Sequence, residues 1–131
     1  MNRKIAQLSL LVRDYDEAIS FYVEKLGFVL IEDTPLSQTK RWVVVAPSTG
    51  GEGCRLLLAK AVGDEQVSRV GNQTGGRVFL FLFTDDIHRD HQRLVAHGVR
   101  IDREPSVEAY GTVLVFQDLY GNLWDMIQPN N

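Results

Sequence analysis

The 131-residue chain predicts an α+β fold: two βαβββ modules that pair into an incomplete barrel around a cleft. Three observations carry that prediction. First, the chain repeats itself. Leu8-Ser9-Leu10-Leu11-Val12-Arg13-Asp14 is followed by a helix-like stretch, Gly27-Phe28 and Pro35, and Val78-Phe79-Leu80-Phe81-Leu82-Phe83-Thr84-Asp85-Asp86 by another helix-like stretch, Gly98-Val99 and Pro105. Second, the spacing nearly matches, with 13 positions from Asp14 to Gly27 and 12 from Asp86 to Gly98. Third, each half then continues through three β-rich runs separated by turn residues. A unit this small cannot bury both faces of its own sheet, so two copies are expected to build one structure. Module one covers about 4–62 and module two about 76–128.

The elements follow in order. Residues 4–12 read as a strand, with Ile5, Leu8, Leu10 and Val12 apolar and Asp14 ending the run. A helix is predicted over 16–26, because Ala18, Ile19, Tyr22 and Leu26 fall at helical spacing on one face. Asp14 and Asp16 stand where an N-cap or first-turn anion belongs, and Gly27 supplies the stop. Strands are expected over 28–32, 41–46 and 55–60, with 48–53 as a hairpin loop. The second half gives a strand over 78–83, a helix over 86–96 and strands over 99–102, 112–117 and 123–127. Its 118–122 turn takes the place of the 48–53 loop. The connection over 61–76 carries four glycines and reads either as a functional loop or as a flexible linker.

Composition excludes several classes. With 44% hydrophobic and 24% charged residues, the chain has the makings of a packed core and is neither disordered nor a membrane protein. No stretch approaches the ~20 apolar residues of a membrane span. A net charge of −3 without a basic stripe argues against nucleic acid as a partner. The one cysteine, Cys54, cannot form an internal disulfide or by itself a metal site. Met1-Asn2-Arg3-Lys4 leads directly into a strand rather than into the apolar segment of a signal peptide, and a cytoplasmic location is expected.

Two further segments are specific in combination. Leu8–Asp14 with Ala18-Ile19-Ser20-Phe21-Tyr22 and Leu26-Gly27-Phe28 opens the chain, and Phe116-Gln117-Asp118-Leu119-Tyr120-Gly121-Asn122-Leu123-Trp124-Asp125 closes it. This arrangement resembles the vicinal oxygen chelate superfamily of glyoxalase I, extradiol dioxygenases, fosfomycin-resistance enzymes and bleomycin-binding proteins. The resemblance runs from Lys4 to Gln128 and implies the glyoxalase/bleomycin-resistance-like fold, commonly as a homodimer.

In metal-using members, four side chains from the first and last strands of each module meet in the cleft. Carried over by position they fall on Gln7, Leu57, Phe79 and Asp125. Leu57 is the least firmly placed, and its neighbours Arg55, Leu56, Leu58 and Ala59 offer no good donor either. Two oxygen donors, one a neutral amide, fall short of the three or more protein ligands a divalent site needs. The resemblance therefore implies a divergent member with an incomplete metal-ligand set, expected to hold no metal and no other cofactor. His88, His91 and His97 read as helix residues rather than ligands.

Strand alternation sorts what lines the cleft instead. Gln7, Ser9 and Leu11 face it from the first strand, and Phe79, Phe81 and Phe83 from the fifth. Three phenylalanines on one face make a wall that either holds a flat apolar ligand or packs against another surface. Polar candidates are Lys40, Arg41 and Trp42 at a strand start, Asn72 and Arg77 before the aromatic strand, and Tyr110 before the seventh strand, with Lys40, Arg41 or Arg77 expected to meet an acidic group of the ligand. Each also has an ordinary structural reading as a strand end, turn or loop cover. Glu108 and Asp125 are the acid/base candidates, with Glu108 reading as a solvated loop charge. Ser9 and Cys54 lack a recognisable base, so no nucleophile emerges and the sequence leaves catalysis open. The expectation is binding of a small, partly aromatic or amphipathic molecule. A divalent-metal lyase, isomerase or dioxygenase resembling glyoxalase I is the alternative.

Overall fold

Alternating apolar residues in the first strand, Leu8, Leu10 and Val12, turn one face of the sheet toward a helix and leave the other open. The computed structural model describes residues 1–131 and divides into two units, Met1–Val70 and Gly71–Asn131. The boundary falls inside the predicted connection.

The first unit contains β1 (Gln7–Val12), α1 (Tyr15–Ile19), a π-helical segment (Ser20–Lys25), β2 (Val29–Pro35), β3 (Arg41–Ala46), β4 (Arg55–Lys60) and α2 (Gly63–Arg69). Its sheet has the order β1-β4-β3-β2, with β1 and β4 parallel and the other pairs antiparallel. Asp14 caps α1 by accepting the Glu17 N–H at 2.9 Å. Ala18, Phe21, Tyr22 and Phe28 are buried, as are Leu10, Val12, Val43, Val45, Leu56 and Leu58 of the sheet. Tyr22 sits 5.5 Å from Phe28 and 5.3 Å from Phe21, ring centre to ring centre. Each such side chain contributes about 1.5–3 kcal/mol by leaving water.

The second unit repeats the plan with β5 (Val78–Phe83), α3 (Ile87–Ala96), β6 (Ile101–Glu108), β7 (Gly111–Gln117) and β8 (Leu123–Pro129). The sheet order is β5-β8-β7-β6, again with one parallel pair, β5 and β8. Asp86 caps α3 through the Arg89 N–H at 3.0 Å, the counterpart of Asp14. Ile87, Leu94, Val99, Leu114, Phe116, Trp124 and Met126 form the core, with Phe116 and Trp124 stacked at 5.7 Å.

The expected α+β pair of βαβββ modules is observed as two open, four-stranded mixed sheets. Several boundaries differ from expectation. The helix predicted over 16–26 is α-helical only to Ile19 and then widens into the π-helical segment, where the Leu26 N–H reaches the Phe21 carbonyl. Residues 61–76 are not a bare connection, because 63–69 form α2. No α2 residue is buried, so it lacks the apolar periodicity that announces a helix. Strand β6 runs past Pro105 to Glu108, and the register shifts between Arg103 and Ser106 around the proline. An edge strand tolerates a proline there, since the missing N–H faces no partner. Glu108 is accordingly a strand residue rather than a loop charge.

Candidate functional site

In the second unit the face of the sheet away from α3 is defined by register. Phe81 lies beside Asp125, which pairs with Val115, which in turn pairs with Arg103. The next row joins Phe83, Ile127, Val113 and Ser106. Phe81 is 63% exposed and Phe83 68%, an unusual state for large aromatic rings on the face of a sheet. Phe79 is half-buried where the β5–β8 register shifts between Val78 and Leu80. The predicted aromatic wall thus consists of Phe81 and Phe83, with Phe79 set into its end.

Two charged groups stand in the row with Phe81. Burial pushes the Asp125 carboxyl above its ordinary pKa, while the Arg103 guanidinium opposes that shift. Arg103 donates to Ser106 Oγ at 2.9 Å and to Glu108 Oε1 at 2.6 Å, and Ser106 donates to Glu108 at 3.1 Å. The β6 bulge around Pro105 brings these three together. Arg103 and Ser106 escaped the sequence reading because that stretch carries a proline and lacks alternation.

At the end of this face, where β5 and β8 begin, lies a polar cavity of about 250 Å³. Asn72 and Arg77, both predicted site residues, line it with Thr74, Asp102, Gln117 and Asn122. Its wall is fixed by the 118–122 turn. Asp118 is 5% exposed and accepts the N–H groups of Tyr120, Gly121 and Asn122 at 2.9–3.1 Å. Its second oxygen accepts the Asn122 side-chain N–H at 3.0 Å, and Asn122 Oδ1 accepts the Gln73 N–H at 3.5 Å. Gly71 fits directly over the turn: a Cβ there would lie 1.8 Å from the Tyr120 carbonyl oxygen, and its φ of +77° also favours glycine. The Asp-x-x-Gly-Asn motif therefore builds the wall of the cavity rather than supplying reactive groups.

The open face of the first unit is different. Ser9, Leu57 and Val44 lie in one row, and Gln7, Leu11, Trp42 and Ala59 share that face by alternation. Gln7 and Trp42 are half-buried. Two predicted ligand residues do not join them. Lys40 is exposed, and its carbonyl closes a turn with the Leu36 and Ser37 N–H groups. Arg41 alternates with Trp42 and so lies on the opposite face, toward α1. There it binds Asp33 through Nε at 3.1 Å and Nη2 at 2.7 Å, and Asp16 through Nη1 at 2.9 Å. It also lies 5.1 Å from the Tyr15 ring centre, and its N–H donates to Tyr15 Oη at 3.2 Å. These contacts hold Asp33 below the usual carboxylate range and occupy the guanidinium with the protein's own anions. The expectation that Arg41 meets an acidic ligand is corrected accordingly. Tyr110 is exposed at the β6–β7 turn, its carbonyl accepting the Asn130 N–H.

The positions that the resemblance assigns to metal ligands are equivalent within the two units. Gln7 precedes by two residues Ser9, the partner of Leu57, and Phe79 precedes by two Phe81, the partner of Asp125. That parallel supports Leu57 as the counterpart of Asp125. One amide, one carboxylate and two hydrocarbon side chains do not fit a divalent cation. No three His, Cys, Asp or Glu side chains cluster elsewhere as a substitute. His91 Nε2 approaches only Glu104 Oε2, at 3.2 Å.

Comparison with known proteins agrees with the fold. An uncharacterized protein of Shewanella frigidimarina (strain NCIMB 400) is 56% identical over 132 aligned positions, covering 100% of this chain and 97% of the relative. The crystal structure of UcmS2 superposes with a TM-score of 0.83 at 27% identity, over 97% of this chain and 98% of that one. TnmS3, an antibiotic binding protein from Streptomyces sp. CB03234, gives 0.79 at 31% identity, over 98% of each chain. Residues 4–126 match the defining pattern of one family, and the chain belongs to the Glyoxalase/Bleomycin resistance protein/Dioxygenase superfamily.

Proposed function

We propose that the protein binds a small, partly aromatic or amphipathic molecule on the open face of its second sheet, without a catalytic metal. The observation that carries this reading is the pair of exposed rings, Phe81 and Phe83, beside the half-buried Asp125. Exposed aromatic rings give a flat ligand a stacking surface, and the half-buried carboxyl beside them orients it by hydrogen bonding. The antibiotic binding protein TnmS3, at 31% identity, supports the same class of ligand. The four inherited metal positions support the metal-free part of the reading, because Leu57 and Phe79 contribute no donor. In this reading the protein acts as a homodimer, which light scattering at several concentrations tests.

Two measurements test the proposal. Naphthalenemethanol should bind the wild-type protein in calorimetry, and Phe81→Ala together with Phe83→Ala should weaken it roughly tenfold, since aromatic pairs contribute about 0.5–1.5 kcal/mol each beyond burial. Unchanged affinity would refute the site. Elemental analysis after purification without chelator, followed by titration with Mn²⁺, Ni²⁺, Zn²⁺ and Fe²⁺, should give no bound metal and no rise in unfolding temperature. A tightly held ion at about a hundredfold over its Kd would add about 2.7 kcal/mol of stability. Near-stoichiometric metal that Asp125→Ala removes would establish the metal-enzyme reading instead.

A further inference from the structure

The polar cavity at the end of the open face contains a charge that the protein does not neutralise. Arg77 forms no ion pair, whereas Asp102, the anion in the same lining, is already answered. Its Oδ1 accepts the Gln117 amide at 2.8 Å and lies 3.6 Å from Arg100 Nε. Thr74 Oγ1 donates to the Arg77 carbonyl at 2.6 Å, bracing the backbone from which the guanidinium extends. The wall opposite is the 118–122 turn, stiffened by the buried Asp118 and Asn122. The cavity is therefore polar, carries an arginine without an ion-pair partner and has a preorganised wall, and an anionic group entering it costs little ordering of that wall.

Its position relates it to the aromatic face. Gln117 and Leu123 line the cavity and also form the ladder pair next on that face after Val115 and Asp125. At about 250 Å³ the cavity suits a ligand's polar head rather than a drug-sized body, for which pockets of about 300–1,000 Å³ are usual.

We propose that this cavity seats a carboxylate of the ligand, with Arg77 as its charge partner, while the ligand's aromatic body lies on Phe81. The ligand class is an aromatic carboxylic acid. Arginine matches a carboxylate with two parallel N–H donors, and a charge-assisted bond of that kind is about twice as strong as a neutral one. The inference rests on the binding reading of the open face, and its test separates failure of one from failure of the other.

The test compares naphthoate with naphthalenemethanol and naphthalenemethylamine, which share a ring and differ in charge, by calorimetry at neutral pH. Wild-type protein should bind naphthoate about tenfold more tightly than the alcohol, with added salt weakening naphthoate alone. Arg77→Gln should bring naphthoate down to the alcohol's affinity and leave the alcohol unchanged, and Arg77→Lys should recover part of the loss. Phe81→Ala should weaken both. Arg77 is exposed and unpaired, so its replacement does not threaten the fold. If Arg77→Gln leaves naphthoate unchanged while Phe81→Ala weakens it, the carboxylate seat is wrong and the aromatic face stands. Tightest binding of the amine would also overturn the seat, assigning the cavity to Asp102 and a cation. If none of the three binds, or Phe81→Ala alters none, the face itself fails and the seat with it.

Discussion

The two units share a topology and a cap-and-glycine frame but put them to different use. In the first, Arg41 spends its charge on Asp33 and Asp16, and the open face carries Gln7, Ser9, Leu57 and Trp42. In the second, the same face carries two exposed phenylalanines, a desolvated carboxyl and a cavity with an unanswered arginine. Duplication supplies the frame, and divergence at alternate strand positions supplies the chemistry, because the exposed side chains among them can change without repacking the core. The turns diverge as well. Asp118 locks its turn with four hydrogen bonds, whereas the matching 48–53 loop is largely exposed.

The largest expected effect breaks that contrast in the turns. Asp118→Ala would leave the Tyr120 and Asn122 backbone N–H groups and the Asn122 side-chain amide without their acceptor, while the Gly121 N–H keeps the residue-118 carbonyl, at a cost of about 3 kcal/mol in urea unfolding. Ser48→Ala in the exposed counterpart should fall within about 0.5 kcal/mol of wild type. Equal losses would show that the two turns are equivalent supports. A smaller effect separates the two arginines. Arg41→Gln should destabilise by about 1 kcal/mol, the scale of a bidentate surface pair, and leave naphthoate affinity unchanged, the opposite of the pattern expected for Arg77→Gln.

The smallest effect concerns acid. Asp33 is held below its ordinary pKa, so its stabilisation is present above that ordinary value and is lost as pH falls through the folded one. Asp125 is raised, so between the ordinary and folded values the native state holds the extra proton and stability declines as pH rises through that window. Asp33→Asn and Asp125→Asn should therefore change the pH slope of the unfolding midpoint in opposite senses, each by under about 1 kcal/mol at neutral pH. Slopes that move together would mean that one carboxylate is misassigned to its environment.

The extra residue between cap and glycine in the first half is the clearest case of a feature visible in the chain but decided in three dimensions. Asp14 and Gly27 stand 13 apart, Asp86 and Gly98 only 12, and the longer helix is the one that widens into the π-helical segment over Ser20–Lys25. One added residue must go somewhere, and a π-helical turn absorbs it without moving either end. Nothing in the residues announced that choice over a longer loop. Both edge strands also shift register three residues past the glycine, at Leu30 and Ile101, as expected of a shared ancestor geometry.

The amino-acid sequence by itself determined the doubled βαβββ order, the bounds of β3, β4 and β5, the capping aspartates and the aromatic face of β5. All of these are written in neighbouring residues at period two or at helical spacing. Tertiary structure alone decided that Arg41 turns toward Asp16, 25 residues away, and not toward a ligand. It decided too that 63–69 form a helix with no buried face, and that Arg77, Asp102 and Gln117 surround one cavity. Local pattern encodes which face a side chain takes, but a charge finds its partner only after the chain has folded back on itself. Ion pairs and cavities join segments whose separation along the chain carries no periodic signal.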